Sequence, residues 1–119
     1  MRYLIVGNSA AGIFAAETIR GLDSNGEIKM ISQENNLPYS RCLTSYLLGK
    51  EIPEDNIFIR TEGYYSDLNI EFLANIVEQV EPDAKSVLLD SGEKISYDKL
   101  LIATGSSPFC PPIEGSGLE

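Results

Sequence analysis

Apolar and polar positions divide the chain into an ordered first third and a more punctuated remainder. Arg2 to Val6 is a short β-rich run whose apolar block, Tyr3-Leu4-Ile5-Val6, suits a strand buried on both faces. Glycine and small polar residues follow. From Ala10 to Leu22 the period changes to that of a helix, with Ala15, Ile19 and Leu22 forming an apolar stripe and Glu17, Arg20 and Asp23 expected to face outward. Ser24-Asn25-Gly26 ends that helix and leads into a second strand, Ile28 to Ile31. This strand–helix–strand unit predicts parallel strands and a right-handed crossover.

Beyond it, Asn35-Asn36-Leu37-Pro38 reads as a loop, Arg41 to Leu48 as a short helix closed by Gly49, and Thr61 to Leu68 as another short helix. Asn69 to Leu73 returns to strand character. Ile76 to Val80, Ser86 to Leu89, Lys94 to Ser96 and Leu100 to Ala103 are strand-like pieces separated by turns such as Pro82-Asp83 and Ser91-Gly92. Their gaps are too short for helices, which predicts an antiparallel meander returning to the parallel sheet. Pro108, Pro111 and Pro112 mark an exit segment of linker character.

Composition narrows the classes. Nine basic against 18 acidic residues give a net charge of −9, a surface that repels phosphate backbones and anionic lipid, so neither nucleic acid nor membrane is an expected partner. No apolar run is long enough to cross a bilayer, and the apolar start stops at Gly7, so it reads as neither signal peptide nor anchor. Two cysteines, Cys42 and Cys110, are too few and too far apart for a disulfide scaffold or a zinc site, and there is no histidine; no metal is expected, and the setting is expected to be reducing and cytoplasmic.

Gly7-Asn8-Ser9-Ala10-Ala11-Gly12 lies between the first strand and the first helix, where a dinucleotide fingerprint belongs. Gly7 permits the tight turn out of the strand, a small residue at Ser9 allows close approach of a pyrophosphate, and Gly12 lets helix and strand pack closely. The helix amino terminus would present N–H groups and a partial positive charge to the phosphates. Glu34 follows Gly12 at roughly the 20 residues where the fingerprint expects an acid for the ribose hydroxyls. A carboxylate there favours a free 2′-hydroxyl, which fits FAD or NAD and argues against NADP. The competing readings are a ligand-free strand-to-helix turn and a solvated acid.

The last strand-like piece decides between cofactors. Tyr97-Asp98-Lys99-Leu100-Leu101-Ile102-Ala103-Thr104-Gly105-Ser106-Ser107-Pro108 resembles the Tyr-Asp-x-Leu-x-x-Ala-Thr-Gly-x-x-Pro signature of the pyridine nucleotide-disulfide oxidoreductase family, and the resemblance runs from Tyr3 to about Gly115. It implies an α/β, Rossmann-like FAD/NAD(P)-binding fold in which a parallel sheet carries an antiparallel meander, a three-layer ββα arrangement that is incomplete in this chain. It also implies FAD as cofactor and NAD(P)H as co-substrate, with Ala103, Thr104 and Gly105 against the dinucleotide and Val77 contacting adenine through its backbone. Leu37-Pro38-Tyr39-Ser40-Arg41, followed by Leu43 and Ser45, looks most like the branch of rubredoxin reductases, nitrite reductase flavoprotein domains and ferredoxin reductases, in which Arg41 would lie near the cofactor. Many relatives carry a lysine soon after that serine; here Tyr46 follows, and the next lysine is Lys50.

Cys42 falls where the coenzyme A-disulfide reductase and NADH oxidase/peroxidase branch has its redox cysteine. Arg41 beside it and a helix amino terminus would favour the thiolate. The readings are a redox thiol, a buried, inert thiol, or a simple neighbour of the flavin. Cys110 reads as incidental. No paired-cysteine spacing supports a dithiol site.

The expected organisation is therefore residues 1–110 as the amino-terminal part of an FAD-binding domain and 111–119 as the start of a linker toward an absent NAD(P)H-binding domain, as in a truncated, excised or split-gene product. The implied function is the FAD-binding portion of an NAD(P)H-dependent flavoprotein oxidoreductase, inactive by itself, that passes electrons to a redox protein, a disulfide or oxygen; homodimers are common among relatives. The alternative is a non-catalytic adenine-dinucleotide-binding module.

Overall fold

The computed structural model describes residues 1–107, 109 and 111–114; Pro108, Cys110 and Gly115 to Glu119, with the readings attached to them, lie outside the described residues. Seven strands and three α-helices are present among them: β1 (Arg2–Val6), α1 (Ala10–Leu22), β2 (Glu27–Ser32), α2 (Thr44–Leu48), α3 (Tyr64–Asp67), β3 (Ile70–Ala74), β4 (Val77–Glu81), β5 (Ser86–Leu89), β6 (Lys94–Ser96) and β7 (Lys99–Ile102). Short 3-10 turns at Arg41–Leu43 and Glu54–Ile57 complete the inventory.

The parallel sheet runs β3-β2-β1-β7, and β4-β5-β6 form a separate antiparallel sheet. β1 pairs in parallel with β2 on one side and β7 on the other. The chain thus moves outward from β1 to β3, crosses through the meander and returns on the opposite side of β1. That reversal of direction beside β1 is where α/β sheets open a crevice at their carboxyl ends.

Alternation along β1 and β2 explains the layering. Ile5, Ile28 and Met30 face one side and pack with Ile13 and Ala16 of α1, Tyr64 of α3 and Ile70 of β3. Leu4 and Ile31, on the opposite face, pack with Val87, Leu89, Ile95 and Tyr97 of the meander and its exit. Both faces of the parallel sheet are therefore dry, which is why its strands read as apolar blocks; each fully buried aliphatic side chain contributes about 1.5–3 kcal/mol.

The buried face of α1 follows the stripe expected from sequence only in part: Ala15 and Ile19 pack, partly buried, against the core. Gly12, Ile13 and Ala16 are buried, whereas Leu22 is 85% exposed. Close approach of α1 to β1 selects small residues there, and these carry little weight in a hydrophobic pattern. Nor do the polar residues of α1 simply face water. Arg20 donates to the carbonyls of Leu68 (2.8 Å), Asn69 (3.0 Å), Asp23 (3.2 Å), Ser24 (3.0 Å) and Gly26 (2.8 Å), pinning the start of β3 and the turn before β2. Glu17 pairs with Arg60 at 2.7 Å, and Asp23 accepts the Tyr3 hydroxyl at 3.1 Å. The helix expected over Thr61 to Leu68 is confined to Tyr64–Asp67, because Thr61 to Gly63 is spent on a turn closed by Tyr64 N–H on Thr61 O.

Candidate functional site

A cleft of about 610 Å³ opens at the carboxyl ends of β1, β2, β3 and β7. Its walls include Gly7, Asn8, Ser9, Glu34, Arg41 and Val77, together with Ala103, Thr104 and Gly105. Nine residues singled out from sequence thus meet in one place. Ala10, Ala11, Gly12 and Cys42 are not among the lining residues. Ala10 and Ala11 lie exposed on the first turn of α1, and Gly12 is buried beneath it.

Glycine is required at two positions of the turn. Gly7 has φ +123°, and a Cβ there would lie 2.2 Å from Ala103 O. A Cβ on Gly12 would lie 2.1 Å from Gly7 O. The Gly7 N–H is committed to Ile31 O at 2.8 Å, and Ala103 N–H to Val6 O at 2.7 Å, so both extend the sheet ladder past the strand ends. The first helical bond of α1 is Ile13 N–H on Ser9 O at 3.1 Å. The N–H groups ahead of it have no acceptor within the helix. Ser9, the N-cap, makes no side-chain cap, and the first turn has no acidic residue. This end of α1 is consequently free to receive an anion.

Glu34, on the loop after β2, is exposed to the cleft. Its carboxylate accepts the Tyr39 hydroxyl at 2.9 Å and pairs with Arg41 at 3.1 Å; the Arg41 guanidinium also lies over the Tyr39 ring, 5.3 Å from its centroid. Burial, and then the bond to Glu34, push the Tyr39 phenol above its ordinary range. The segment holding Tyr39 and Arg41 is itself fixed by a small antiparallel bridge, with Ser40 N–H on Ile57 O (2.8 Å) and Ile59 N–H on Pro38 O (2.9 Å). Glu34 and Arg41 are the charged side chains among the described lining residues, so the cleft is far closer to neutral than the chain as a whole.

Val77 begins β4, where the pairing with β5 shifts register between Val77 and Gln79. A bulge of this kind re-aims backbone groups and leaves some unpaired. Gly105, at φ +71°, has open space around it. Sequence reasoning missed Ser32, Gln33, Asn75 and Ile76, which also line the cleft. The signal that finds them is topological: each lies at or just beyond the carboxyl end of a parallel strand.

Cys42 is exposed on the 3-10 turn Arg41–Leu43, which sets aside the reading of a buried, inert thiol and leaves those of a redox thiol and of a simple flavin neighbour. The guanidinium of Arg41 is directed to Glu34, and the helix that follows has only five residues. No group of His, Cys, Asp and Glu suited to a metal ion occurs among the described residues, and no helix there is long and apolar enough to cross a membrane.

Comparison with known proteins agrees with this fold. A family model described as pyridine nucleotide-disulphide oxidoreductase matches residues 1–119. An NADH oxidase of Methanocaldococcus jannaschii is 37% identical over 126 residues, covering 100% of this chain and 28% of that protein. A rubredoxin-NAD(+) reductase of Pseudomonas putida is 34% identical, covering 100% of this chain and 31% of its own length. The crystal structure of NADH:rubredoxin oxidoreductase from Clostridium acetobutylicum superposes with a TM-score of 0.78 at 34% identity, covering 93% of this chain and 30% of that one. The chain therefore spans less than a third of the length of each of these relatives. Fold, signature and full-length family match together place this chain in the pyridine nucleotide-disulphide oxidoreductase family.

Proposed function

We propose that the cleft holds the adenosine diphosphate half of FAD, and that the chain is the FAD-binding portion of an NAD(P)H-dependent flavoprotein oxidoreductase. In this reading residues 1–110 form the amino-terminal part of the FAD-binding domain, and 111–119 begin the link toward an NAD(P)H-binding domain. The observation that carries it is convergence: the glycine turn, Glu34, the β4 bulge and Ala103-Thr104-Gly105, far apart in the chain, all line one crevice.

The residues fit the group. The pyrophosphate is received by the uncapped, acid-free end of α1, where the absence of a Cβ on Gly7 keeps the turn against Ala103. Glu34 accepts the ribose hydroxyls, with Tyr39 and Arg41 holding its carboxylate in place and the Arg41 guanidinium partly offsetting the carboxylate's field. Backbone groups around Val77 meet the adenine. When bound, FAD supplies the chemistry of taking a hydride and passing electrons on; this chain contributes binding and orientation. The electron acceptor is proposed as a redox protein, a disulfide or oxygen, following relatives named for rubredoxin and for oxidase activity.

The visible spectrum of the intact purified protein tests the cofactor. Flavin absorbance at close to one equivalent is expected, as is its loss in Gly7→Val. Colourless protein that takes up ADP but not FAD would instead make the chain a non-catalytic nucleotide-binding module. Tighter binding of NADH than of FAD would sink the cofactor assignment.

A further inference from the structure

Asn8 is the second position of the glycine turn, one that the fingerprint leaves unspecified. Here its side chain is engaged through both its amide nitrogen and its amide oxygen. Its Nδ2 donates to Asn36 O at 2.9 Å, and its Oδ1 accepts the Tyr65 hydroxyl at 2.8 Å. A carbonyl oxygen can only accept, so the amide orientation is dictated by Asn36, and the oxygen is left facing Tyr65. Tyr65 is held in turn: its ring stacks on Phe72 of β3 at 4.7 Å and meets Tyr64 edge-on at 5.2 Å. Its phenol, which burial pushes above a range already far above neutral, is a hydrogen-bond donor at neutral pH. A continuous path therefore runs from the body of the sheet through Tyr65 and Asn8 to the loop after β2. That loop carries Glu34, two residues before Asn36, and Gln33 to Asn36 are all exposed.

We propose that Asn8, anchored by Tyr65, is a positioning residue that ties the glycine turn to the Glu34 loop and so sets the span between the pyrophosphate end and the ribose end of the site. The inference rests on the reading of the cleft as an adenine-dinucleotide site. Within that reading it assigns a role to a side chain that neither the glycine pattern nor the acidic position specifies. Its chemical consequence is selective. A ligand that touches both ends, such as ADP, needs the span to be correct, whereas one that touches only the ribose end, such as adenosine, does not.

Tyr65→Phe is the informative variant, because Tyr65 does not line the cleft and the change removes the hydroxyl while keeping the stacked ring. Calorimetric titration of the intact, deflavinated protein is expected to show ADP binding weakened roughly three- to ten-fold, the worth of one ordinary hydrogen bond. Adenosine should change by less than about two-fold on the same argument. The loss of ADP affinity caused by Glu34→Gln should also shrink in the Tyr65→Phe background, since a loosened loop no longer brings Glu34 to the ribose of a ligand whose pyrophosphate is held at the glycine turn, whereas adenosine, not held there, can still follow the loop. Asn8→Ala provides a second variant, expected to show the same selectivity. Unchanged ADP affinity in both variants overturns the proposal. So does an equal loss for ADP and adenosine with the Glu34→Gln penalty intact, the pattern of a merely structural bond. If the unaltered protein binds neither ADP nor FAD, the reading of the cleft itself fails, an outcome distinct from any of these.

Discussion

At Gly7 conformation and contact make the same demand. Its φ of +123° is open to few other residues, and the atoms of Ala103 already occupy the place a Cβ would take. Gly7→Ala should therefore cost on the order of 1–3 kcal/mol from backbone strain alone, measured by urea melts of the deflavinated protein. Flavin content should fall with it, because the displaced atom is a cleft carbonyl. Glu34 makes a different demand. Glu34→Gln keeps an acceptor but loses its charge, so ADP and FAD should bind about ten-fold or more weakly, as befits a charge-assisted hydrogen bond. The discrimination against 2′-phosphorylated ligands should weaken at the same time, since the repelling charge is gone. Cys42→Ser should leave flavin content unchanged, because the thiol lies outside the lining of the cleft; a fall in turnover confined to disulfide acceptors would identify it as a redox thiol.

Elements were legible in proportion to how local their causes are. The bounds of α1 follow from the glycine turn before it and the Asp23-Ser24-Asn25 turn after it, and Ala10–Leu22 is the helix observed. Its buried face was legible only in part: Gly12 as the point of close packing and Ala15 and Ile19 of the stripe were readable, whereas the full burial of Ile13 and Ala16 depends on how near α1 comes to β1. The 3-10 turn Glu54–Ile57 follows Pro53 but has no apolar repeat, and its purpose is to bring Phe58 opposite Tyr39. Arg20 shows the same limit: on the helix pattern it is a surface residue, yet it satisfies five carbonyls from two segments, the turn before β2 and the approach to β3. Arg20→Ala should destabilise the protein by about 2 kcal/mol or more, as partly buried acceptors lose their donor, visible as a lower denaturation midpoint with little change in ADP affinity.

In the molecule as a whole, paired carboxylates tie segments distant in sequence and predict its response to acid. Asp98, in the Tyr-Asp of the signature, accepts from Arg2 N–H at 2.7 Å and from its guanidinium at 3.0 Å, while Asp98 N–H returns a bond to Arg2 O at 2.9 Å. It thereby sets β7 against β1, the pairing that brings Ala103 to Gly7. Arg2 holds the Asp98 carboxyl below its usual range; the Tyr3 hydroxyl does so for Asp23, and Lys94 with Ser86 for Glu81. Groups whose folded pKa is depressed add stability above the unfolded carboxylate range and lose it as pH falls through the folded values. Thermal melts should accordingly be stable near neutrality and shift downward below about pH 4, with Asp98→Asn showing a smaller shift than the unaltered protein.

The order of strands and helices along the chain and the glycine turn between β1 and α1 were readable from the chain, because each depends on neighbours a few residues away, and Glu34 just beyond β2 was readable from its spacing to Gly12. Only the folded molecule brings Gly7, Glu34, Val77 and Ala103 to one crevice, links Asn8 to Tyr65, turns Arg41 toward Glu34 and leaves Cys42 exposed. Those outcomes depend on which strands lie beside β1 and how closely α1 approaches the sheet, distances set by packing between segments that local pattern does not record.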